Sequence, residues 1–215
     1  MSLVRMDLHL SLDGFMSSGQ SESAPMGIDW GKLTSSYVAT QTFRSRVLGD
    51  TSGTGTAGID DKYAAAYFEG IGAEVMGAGM FGFHAHPEES DWRGWWGETP
   101  PFGYSVFVLT HKSPREPLVM TGGTTFHFRS GELAPIIDEA KEAAAGKDIR
   151  ISGGSRVAKA ALEADLVDQL HLNISPVFLG TGFSLSENLR EFENKFNYSS
   201  EVSESGSIHV VFKRK

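Results

Sequence analysis

A double glycine between an apolar segment and a predicted helix is the feature of this sequence best suited to chemistry. Residues 149–157 read IRISGGSRV, so Gly153 and Gly154 separate a predicted strand from a helix start. Two glycines leave the backbone bare where an anion would approach, and a helix N-terminus supplies free N–H donors with partial positive charge. Arg156 and Lys159 add cationic charge one helical turn apart. The segment therefore indicates an anion site, although a plain strand-to-helix turn would look the same.

Two further strand ends carry glycine or polar groups. Gly77 closes one apolar run and opens a formal G-x-G-x-x-G string over residues 77–82, without the βαβ unit that a dinucleotide fingerprint requires. Thr110, His111 and Lys112 follow another apolar run, and their side chains suit a phosphate monoester or an adenine edge. Because the carboxyl ends of parallel strands meet at one edge of a sheet, the three ends together predict a nucleotide cofactor.

Composition and the remaining motifs exclude or disfavour other classes of protein. The absence of cysteine excludes a disulfide scaffold, a thiolate zinc site and a cysteine nucleophile. A formal charge of -8 disfavours a nucleic-acid-binding protein. His84 and His86 lack a convincing third ligand, so no metal site is expected. No apolar stretch approaches the roughly 18 residues of a membrane span, and we expect no membrane partner and a cytoplasmic protein.

The hydrophobic pattern predicts a single α/β domain over residues 1–215. Residues 3–12 alternate apolar and polar side chains, which is typical of a strand with one buried face. Residues 51–58 form a glycine-, threonine- and serine-rich excursion. The predicted sheet is mixed and mostly parallel, flanked by helices, with an antiparallel C-terminal hairpin. Further strands are predicted over 73–76, 105–110, 117–120, 124–128, 149–152 and 166–174, helices over 32–48, 79–85, 133–145 and 155–164, and the hairpin over 192–203 and 207–213.

Eight short segments in a fixed order carry a family resemblance over nearly the whole chain. The chain resembles the dihydrofolate-reductase-like fold, in the branch that contains the C-terminal reductase domain of the bifunctional riboflavin-biosynthesis deaminase/reductase. Residues 92–97 and the GGTTFHF segment look like the stand-alone reductase-like subgroup, and the zinc signature of the deaminase, which requires cysteine, is absent from this sequence. The matching segments are residues 11–15 (SLDGF), 28–30 (IDW), 75–77 (VMG), 101–112, 122–128 (GGTTFHF), 152–154 (SGG), 166–168 (LVD) and 176–182 (PVFLGTG).

The resemblance implies an NADPH (NADP) cofactor held at the carboxyl ends of the strands. It places Gly153 and Gly154 at the pyrophosphate and Gly77 at a second helix that contacts the cofactor. Family members usually have arginine after that glycine, where this chain has Ala78, so Lys112 is the substitute cation for a 2′-phosphate. The cofactor-binding residues implied are Gly77, Thr110, His111, Lys112, Gly153, Gly154, Ser155, Arg156 and Val157.

The resemblance also implies a reaction and its residues. The expected activity is reduction of a small nitrogen heterocycle, with 5-amino-6-(5-phosphoribosylamino)uracil as the nearest substrate. Asp29 and Asp13 are the candidate catalytic residues, because hydride transfer needs a proton delivered to the substrate. Alternatives are a dihydrofolate or pterin reductase and a non-catalytic nucleotide-binding module. A homodimer is expected, and the candidate substrate contacts are Trp30, Trp92, Trp95 and Phe126.

Overall fold

The structure of the protein is a computed structural model. It describes residues 2–19, 26–86, 91–111, 115–185 and 190–215. Contacts group the chain into two compact units. The first unit comprises Met1–Met6 and Gly70–Asp168, and the second comprises Asp7–Glu69 and Gln169–Lys215. That residues 1–215 form one domain therefore stays a prediction.

Strands and helices alternate along the chain. The strands are β1 (Val4–Ser11), β2 (Phe15–Ser17), β3 (Ile71–Gly77), β4 (Ser105–Leu109), β5 (Leu118–Val119), β6 (Thr125–Arg129), β7 (Asp148–Gly153), β8 (Gln169–Ser175), β9 (Phe183–Ser184), β10 (Phe196–Val202) and β11 (Ile208–Arg214). The helices are α1 (Trp30–Leu33), α2 (Ser35–Val38), α3 (Gln41–Arg46), α4 (Ile59–Phe68), α5 (Ala78–Phe81), α6 (Leu133–Ala143) and α7 (Ser155–Glu163). Short 3-10 turns lie at Thr121–Gly123 and Phe192–Lys195.

The first unit contains the parallel strands. Its strand order is β1, β7, β3, β4, β6 and β5, in which β1 contributes only its first residues and β5 alone is antiparallel to its neighbour. Ala73 and Val75 on β3 and Ile149 and Ile151 on β7 are fully buried. Glu74 and Arg150, which lie between them, are buried as well, so residues 73–77 and 149–151 are covered on both faces of the sheet. Because the strands are parallel, β7, β3 and β4 end at the same edge.

An aromatic cluster forms part of the core of this unit. Phe81 lies at its centre and makes edge-to-face contacts with Phe126 and Phe128, with ring centroids 5.0 and 5.3 Å apart. Burial of such rings supplies the main stabilisation of a core, at roughly 25 cal/mol per Å² of apolar surface. The buried members of the cluster are Met76, Phe81, Phe83, Val106, Val108, Met120, Phe126 and Phe128.

The second unit contains the antiparallel strands and helices α1 to α4. Its strand order is β10, β11, β8 and β1, and β11 pairs antiparallel with both β10 and β8. Strands β2 and β9 form a separate two-stranded sheet. Gly182 lies just before β9 with φ +141°, and a Cβ at that position would lie only 1.9 Å from the carbonyl oxygen of Ser17. The backbones of the two segments therefore approach each other closely only because residue 182 is glycine.

The predicted fold class is confirmed: the chain is α/β, with a mostly parallel sheet and an antiparallel C-terminal hairpin. The prediction of one helix over residues 32–48 is wrong, because threonines interrupt it. Thr34 separates α1 from α2, and its hydroxyl donates back to the Trp30 carbonyl. Thr40 is extended and accepts the Phe43 N–H, so a new helix begins there. Helix α4 and the pairing of β2 with β9 were not predicted.

Candidate functional site

Two bare backbone segments meet where β3 and β7 end. The strands are paired up to Met76 and Gly153, so Gly77 and Gly154 follow side by side. A Cβ at Gly154 would lie 3.3 Å from the Cα of Gly77, and a Cβ at Gly77 would lie 3.1 Å from Cγ2 of Val157. Both distances are tighter than ordinary van der Waals contact, so glycine at these positions permits the close approach of the two chains.

The backbone between β7 and α7 is suited to receive an anion. Gly153 has φ +137° and Gly154 has φ +83°, both in the region that favours glycine. Gly154 is the N-cap of α7, and the first helical hydrogen bond runs from the Ala158 N–H to the Gly154 carbonyl. The N–H groups of residues 155–157 therefore have no carbonyl acceptor within the helix. Free N–H groups and the helix dipole at this end favour a phosphate or a carboxylate.

Ser152 borders the candidate site and was not predicted as one of its residues. Its Oγ is buried and has no hydrogen-bond partner among the described residues. It directly precedes Gly153, so an orphaned hydroxyl lies next to the bare turn. Met80 also borders this turn, because a Cβ at Gly153 would lie 3.8 Å from its Sδ. The signal for Ser152 was its place in the SGG string, whereas nothing in the sequence pointed to Met80.

The third predicted strand end lies at the same edge. Leu109 on β4 is paired with Gly77 on β3, so Thr110 and His111 follow next to the glycine. Thr110 is buried, and its N–H donates to the Arg129 carbonyl at 2.8 Å. His111 is exposed. Lys112 lies outside the described residues, so the predicted substitute cation stays a prediction.

The cations on α7 differ in their position. Arg156 is exposed in the first turn of the helix, and Lys159 is partly buried one turn later. A positive charge near a helix N-terminus opposes the dipole within the helix itself. Arg156 therefore adds positive charge at the end of α7 where the free N–H groups lie.

The predicted aromatic substrate contacts lie in different surroundings. Trp92 donates its indole N–H to the Phe81 carbonyl at 2.9 Å and lies edge-to-face with Trp95 at a centroid distance of 4.9 Å. Both indoles pack on Gly82, where a Cβ would lie 2.9 Å from each. Phe126 has no exposed surface and lies inside the core, where a ligand cannot reach its ring. The tryptophans thus cover the end of α5, and Phe126 is a packing residue.

Asp29 lies at the start of α1 in the second unit. Its carboxylate accepts hydrogen bonds from Lys32 Nζ at 2.6 Å and from the Ser18 hydroxyl. These two interactions lower the pKa of Asp29 below its usual value, with Lys32 the larger cause. Trp30, the first residue of α1, is partly buried. Asp29 is therefore ionised at neutral pH and paired with a cation.

Asp13 connects two loops of the same unit. Its carboxylate accepts the N–H groups of Leu179 and Gly180 at 3.1 and 2.7 Å. Hydrogen bonding by the Ser11 side chain, followed by these backbone donors, lowers the pKa of Asp13. The aspartate of the SLDGF segment thus holds the PVFLGTG segment in place. Sequence proximity to a family motif does not reveal this structural role.

The described residues offer neither a metal site nor a membrane-spanning helix. No group of three or more histidine, cysteine, aspartate or glutamate side chains in them could hold a metal ion. Within the same residues, no helix is long and apolar enough to span a lipid bilayer.

The fold defines the class of protein. The chain has a dihydrofolate-reductase-like fold. It matches dihydrofolate reductase from Enterococcus faecalis in complex with NADP(H) and RAB-propyl, with a TM-score of 0.50 and 12% identity over 99% of this chain and 96% of that one. Within this class, the model of the RibD C-terminal domain matches residues 2–204, and the chain belongs to that family. No curated protein matches the chain in sequence.

Two further solved structures are similar to the chain. One is a candidate riboflavin biosynthesis protein from a Shewanella species, with a TM-score of 0.60 and 20% identity over 99% of each chain. The other is a diaminohydroxyphosphoribosylaminopyrimidine deaminase/5-amino-6-(5-phosphoribosylamino)uracil reductase from Thermotoga maritima, with a TM-score of 0.55 and 14% identity. The match covers all of this chain and 57% of that protein. At these identities, the two likenesses show the fold.

Proposed function

We propose that the protein is an NADPH-dependent reductase of a small nitrogen heterocycle, closest to the reduction of 5-amino-6-(5-phosphoribosylamino)uracil. Membership of the RibD C-terminal domain family supports a reductase. The Thermotoga protein named for this reduction has the same fold, and so does an NADP(H)-bound dihydrofolate reductase.

The observation that carries the proposal is the glycine turn at Gly153 and Gly154, which lies beside Gly77 at the N-terminus of α7. A pyrophosphate needs close backbone approach and N–H donors, and both are present at the start of α7. The buried Ser152 hydroxyl without a partner supplies one more polar group beside it. The residues present therefore fit a dinucleotide, and Thr110 and His111 lie at the next strand end for its adenosine half. When bound, the nicotinamide supplies a hydride to an electron-poor C=N or C=O group.

A second candidate function, a nucleotide-binding module without catalysis, is favoured by the state of the two aspartates. Asp13 and Asp29 both have a lowered pKa and both are hydrogen-bonded within the unit. An ionised carboxylate accepts a proton but does not donate one at neutral pH. In the catalytic proposal, these carboxylates therefore orient the substrate or a water molecule, and the proton reaches the substrate through that water.

The first test is a titration with NADPH, NADP and NAD, followed through the tryptophan fluorescence. We expect the protein to bind NADPH with a Kd well below millimolar. Gly154→Ala should weaken binding about tenfold or more, equivalent to about 1.4 kcal/mol. Gly146→Ala is the matched control, because Gly146 has φ +88° against +83° at Gly154 but has open space around it. No binding at millimolar NADPH, or equal losses in both variants, would contradict the cofactor assignment.

The second test measures oxidation of NADPH with a panel of aminopyrimidines, pterins and dihydrofolate. Asp13→Asn and Asp29→Asn should lower kcat more than they change NADPH affinity. Turnover of dihydrofolate alone would replace the pyrimidine proposal with a folate reductase. Cofactor binding without turnover of any compound would support the non-catalytic module, and unchanged kcat in both variants would remove the role of the aspartates.

The homodimer and the cytoplasmic location are further proposals. The resemblance supports an association through the C-terminal strands, in which β10 is the outermost strand of its sheet. Light scattering coupled to size-exclusion chromatography measures the mass in solution. A mass near the 23.3 kDa of one chain would contradict the dimer.

A further inference from the structure

A chain of four ionisable side chains runs through the interior of the second unit. Asp7 Oδ1 lies 3.0 Å from His171 Nδ1, and His171 Nε2 lies 3.0 Å from His209 Nδ1. His209 Nε2 then lies 2.9 Å from Asp60 Oδ1. The four residues come from β1, β8, β11 and α4, and the exposed fraction of their side chains is between 1% and 12%. None of them belongs to the proposed cofactor site.

The number of protons in this chain follows from its three contacts. Carboxylates and imidazole lone pairs both accept hydrogen bonds, so each contact needs one N–H proton. Two neutral imidazoles carry two N–H protons, whereas one imidazolium and one neutral imidazole carry three. With Asp7 and Asp60 ionised, three hydrogen bonds at about 3 Å therefore require one imidazolium. If both imidazoles were imidazolium ions, His171 Nε2 and His209 Nδ1 would both be N–H donors, and no hydrogen bond could form between them.

The surroundings determine which ring carries the charge. Burial, followed by opposing effects of Asp60 and His171, lowers the pKa of His209. His209 then remains neutral, with its Nε2–H donated to Asp60 and its Nδ1 accepting from His171. For all three contacts to be hydrogen bonds, His171 is then the ring that donates from both nitrogens. His9, on the same strand as Asp7, cannot share this proton, because burial and the nearby His171 lower its pKa to about 4.

The Tyr63 ring and the ion pair between Lys62 and Glu201 lie next to the network. The Tyr63 ring stacks on both imidazoles, with centroid distances of 4.5 and 4.2 Å. Its hydroxyl donates to Glu201 on β10 at 2.6 Å, and Glu201 also pairs with Lys62. An adjacent cavity of about 20 Å³ has room for about one water molecule. At most about one water molecule can therefore reach these side chains, so the three contacts between them supply most of their hydrogen bonds.

We propose that His171 and His209 hold one shared proton at neutral pH, and that its release at alkaline pH destabilises the second unit. On release, two acceptors face each other in one of the three contacts, and a buried hydrogen bond is lost. The network thus makes the stability of this unit sensitive to pH.

The direction of the pH dependence follows from proton counts. In the unfolded chain both imidazoles titrate near pH 6.5, so above about pH 7.5 they bind no proton. The folded network still binds one, and the folded state is therefore stabilised by protonation. The unfolding equilibrium constant should rise about tenfold per pH unit from about pH 7.5 until the network itself deprotonates. Below about pH 5.5 the unfolded imidazoles bind two protons against one in the network, so stability should fall there as well.

Nitrogen-15 NMR of the imidazoles in the unmodified protein tests the proposal directly. At about pH 7.5, His171 should give the signature of an imidazolium, and His209 should give that of a neutral ring protonated at Nε2. Detection of two neutral rings would overturn the shared proton. This measurement does not depend on any variant folding correctly.

Urea unfolding between about pH 7.5 and 9 provides the second test. The unmodified protein should show the tenfold change per pH unit, and His171→Gln should lose it. His127→Gln is the matched control, because His127 is a partly buried histidine of the first unit that contacts the Ser105 hydroxyl at 3.3 Å. It should retain the full pH dependence. An equal pH dependence in His171→Gln and the unmodified protein would overturn the proposal.

Discussion

The ion pair between Glu74 and Arg150 allows a quantitative prediction about the strands that carry the proposed cofactor site. The two residues are directly paired across β3 and β7, and neither side chain has exposed surface. Arg150 Nη2 donates to Glu74 Oε2, and the Tyr104 hydroxyl lies 3.1 Å from the same oxygen. Each strand reaches its terminal glycine, Gly77 or Gly153, three residues later. The pair therefore lies in the part of the sheet from which the site is built, where loss of one partner leaves the other charge buried.

The expected magnitude depends on whether one partner or both are replaced. Glu74→Leu leaves the guanidinium of Arg150 buried without its carboxylate, and such a loss costs about 3–5 kcal/mol. At about 2–4 °C per kcal/mol for a chain of this length, Tm should fall by roughly 10 °C. Arg150→Met should have a similar effect, because it leaves the buried Glu74 carboxylate without the guanidinium. The double variant should lie within about 1 kcal/mol of the unmodified protein or exceed its stability, because apolar residues of similar volume avoid the desolvation of both charges.

Urea unfolding followed by circular dichroism gives the four free energies of this double-mutant cycle. NADPH titration of each folded variant shows whether the strand ends still form the site. We expect both single variants to bind NADPH more weakly and the double variant to recover. Single losses below about 1 kcal/mol, or a double loss equal to the sum of the singles, would refute the reasoning from buried charge.

Three other substitutions give direct tests of the local structure. Gly182→Ala should destabilise the protein by about 1–3 kcal/mol or more, because its Cβ would meet the Ser17 carbonyl; an unchanged Tm in calorimetry would contradict this contact. Thr40→Ala removes the hydroxyl that caps α3 and should cost about 1 kcal/mol in urea unfolding, whereas Thr40→Ser should cost less. Trp92→Phe removes the N–H donated to Phe81 and should cost about 1 kcal/mol without loss of NADPH affinity; a loss of affinity would place Trp92 at the cofactor.

The parallel strand ends of the candidate site could be predicted because their signals are local. Gly77 and the Gly153–Gly154 pair each follow an apolar run, and each run is a strand in the structure. The common edge then follows from the parallel arrangement of β7, β3 and β4. The resemblance supplied the cofactor that these ends would hold, which composition and spacing leave open.

Other parts of the site depend on contacts between distant segments. Asp13 and Leu179 are 166 residues apart in sequence, and the hydrogen bond from the Leu179 N–H to the Asp13 carboxylate gives the aspartate a structural role that its own segment does not show. Phe126 belongs to the GGTTFHF segment of the resemblance, but its burial in the core follows from packing against Phe81. Helix α4 was not predicted, because its apolar residues do not form a single stripe and its formation depends on tertiary contacts.

The amino-acid sequence alone determined the α/β class, the positions of most strands along the chain and the glycines at the ends of β3 and β7. These properties depend on hydrophobic period and on glycine, which act within a few residues. Only the tertiary structure decided which charges are buried together. Glu74 meets Arg150, and His171 meets His209, across 76 and 38 residues of sequence. Burial makes such charges costly unless they are paired, and pairing is a property of the folded neighbours rather than of any one segment.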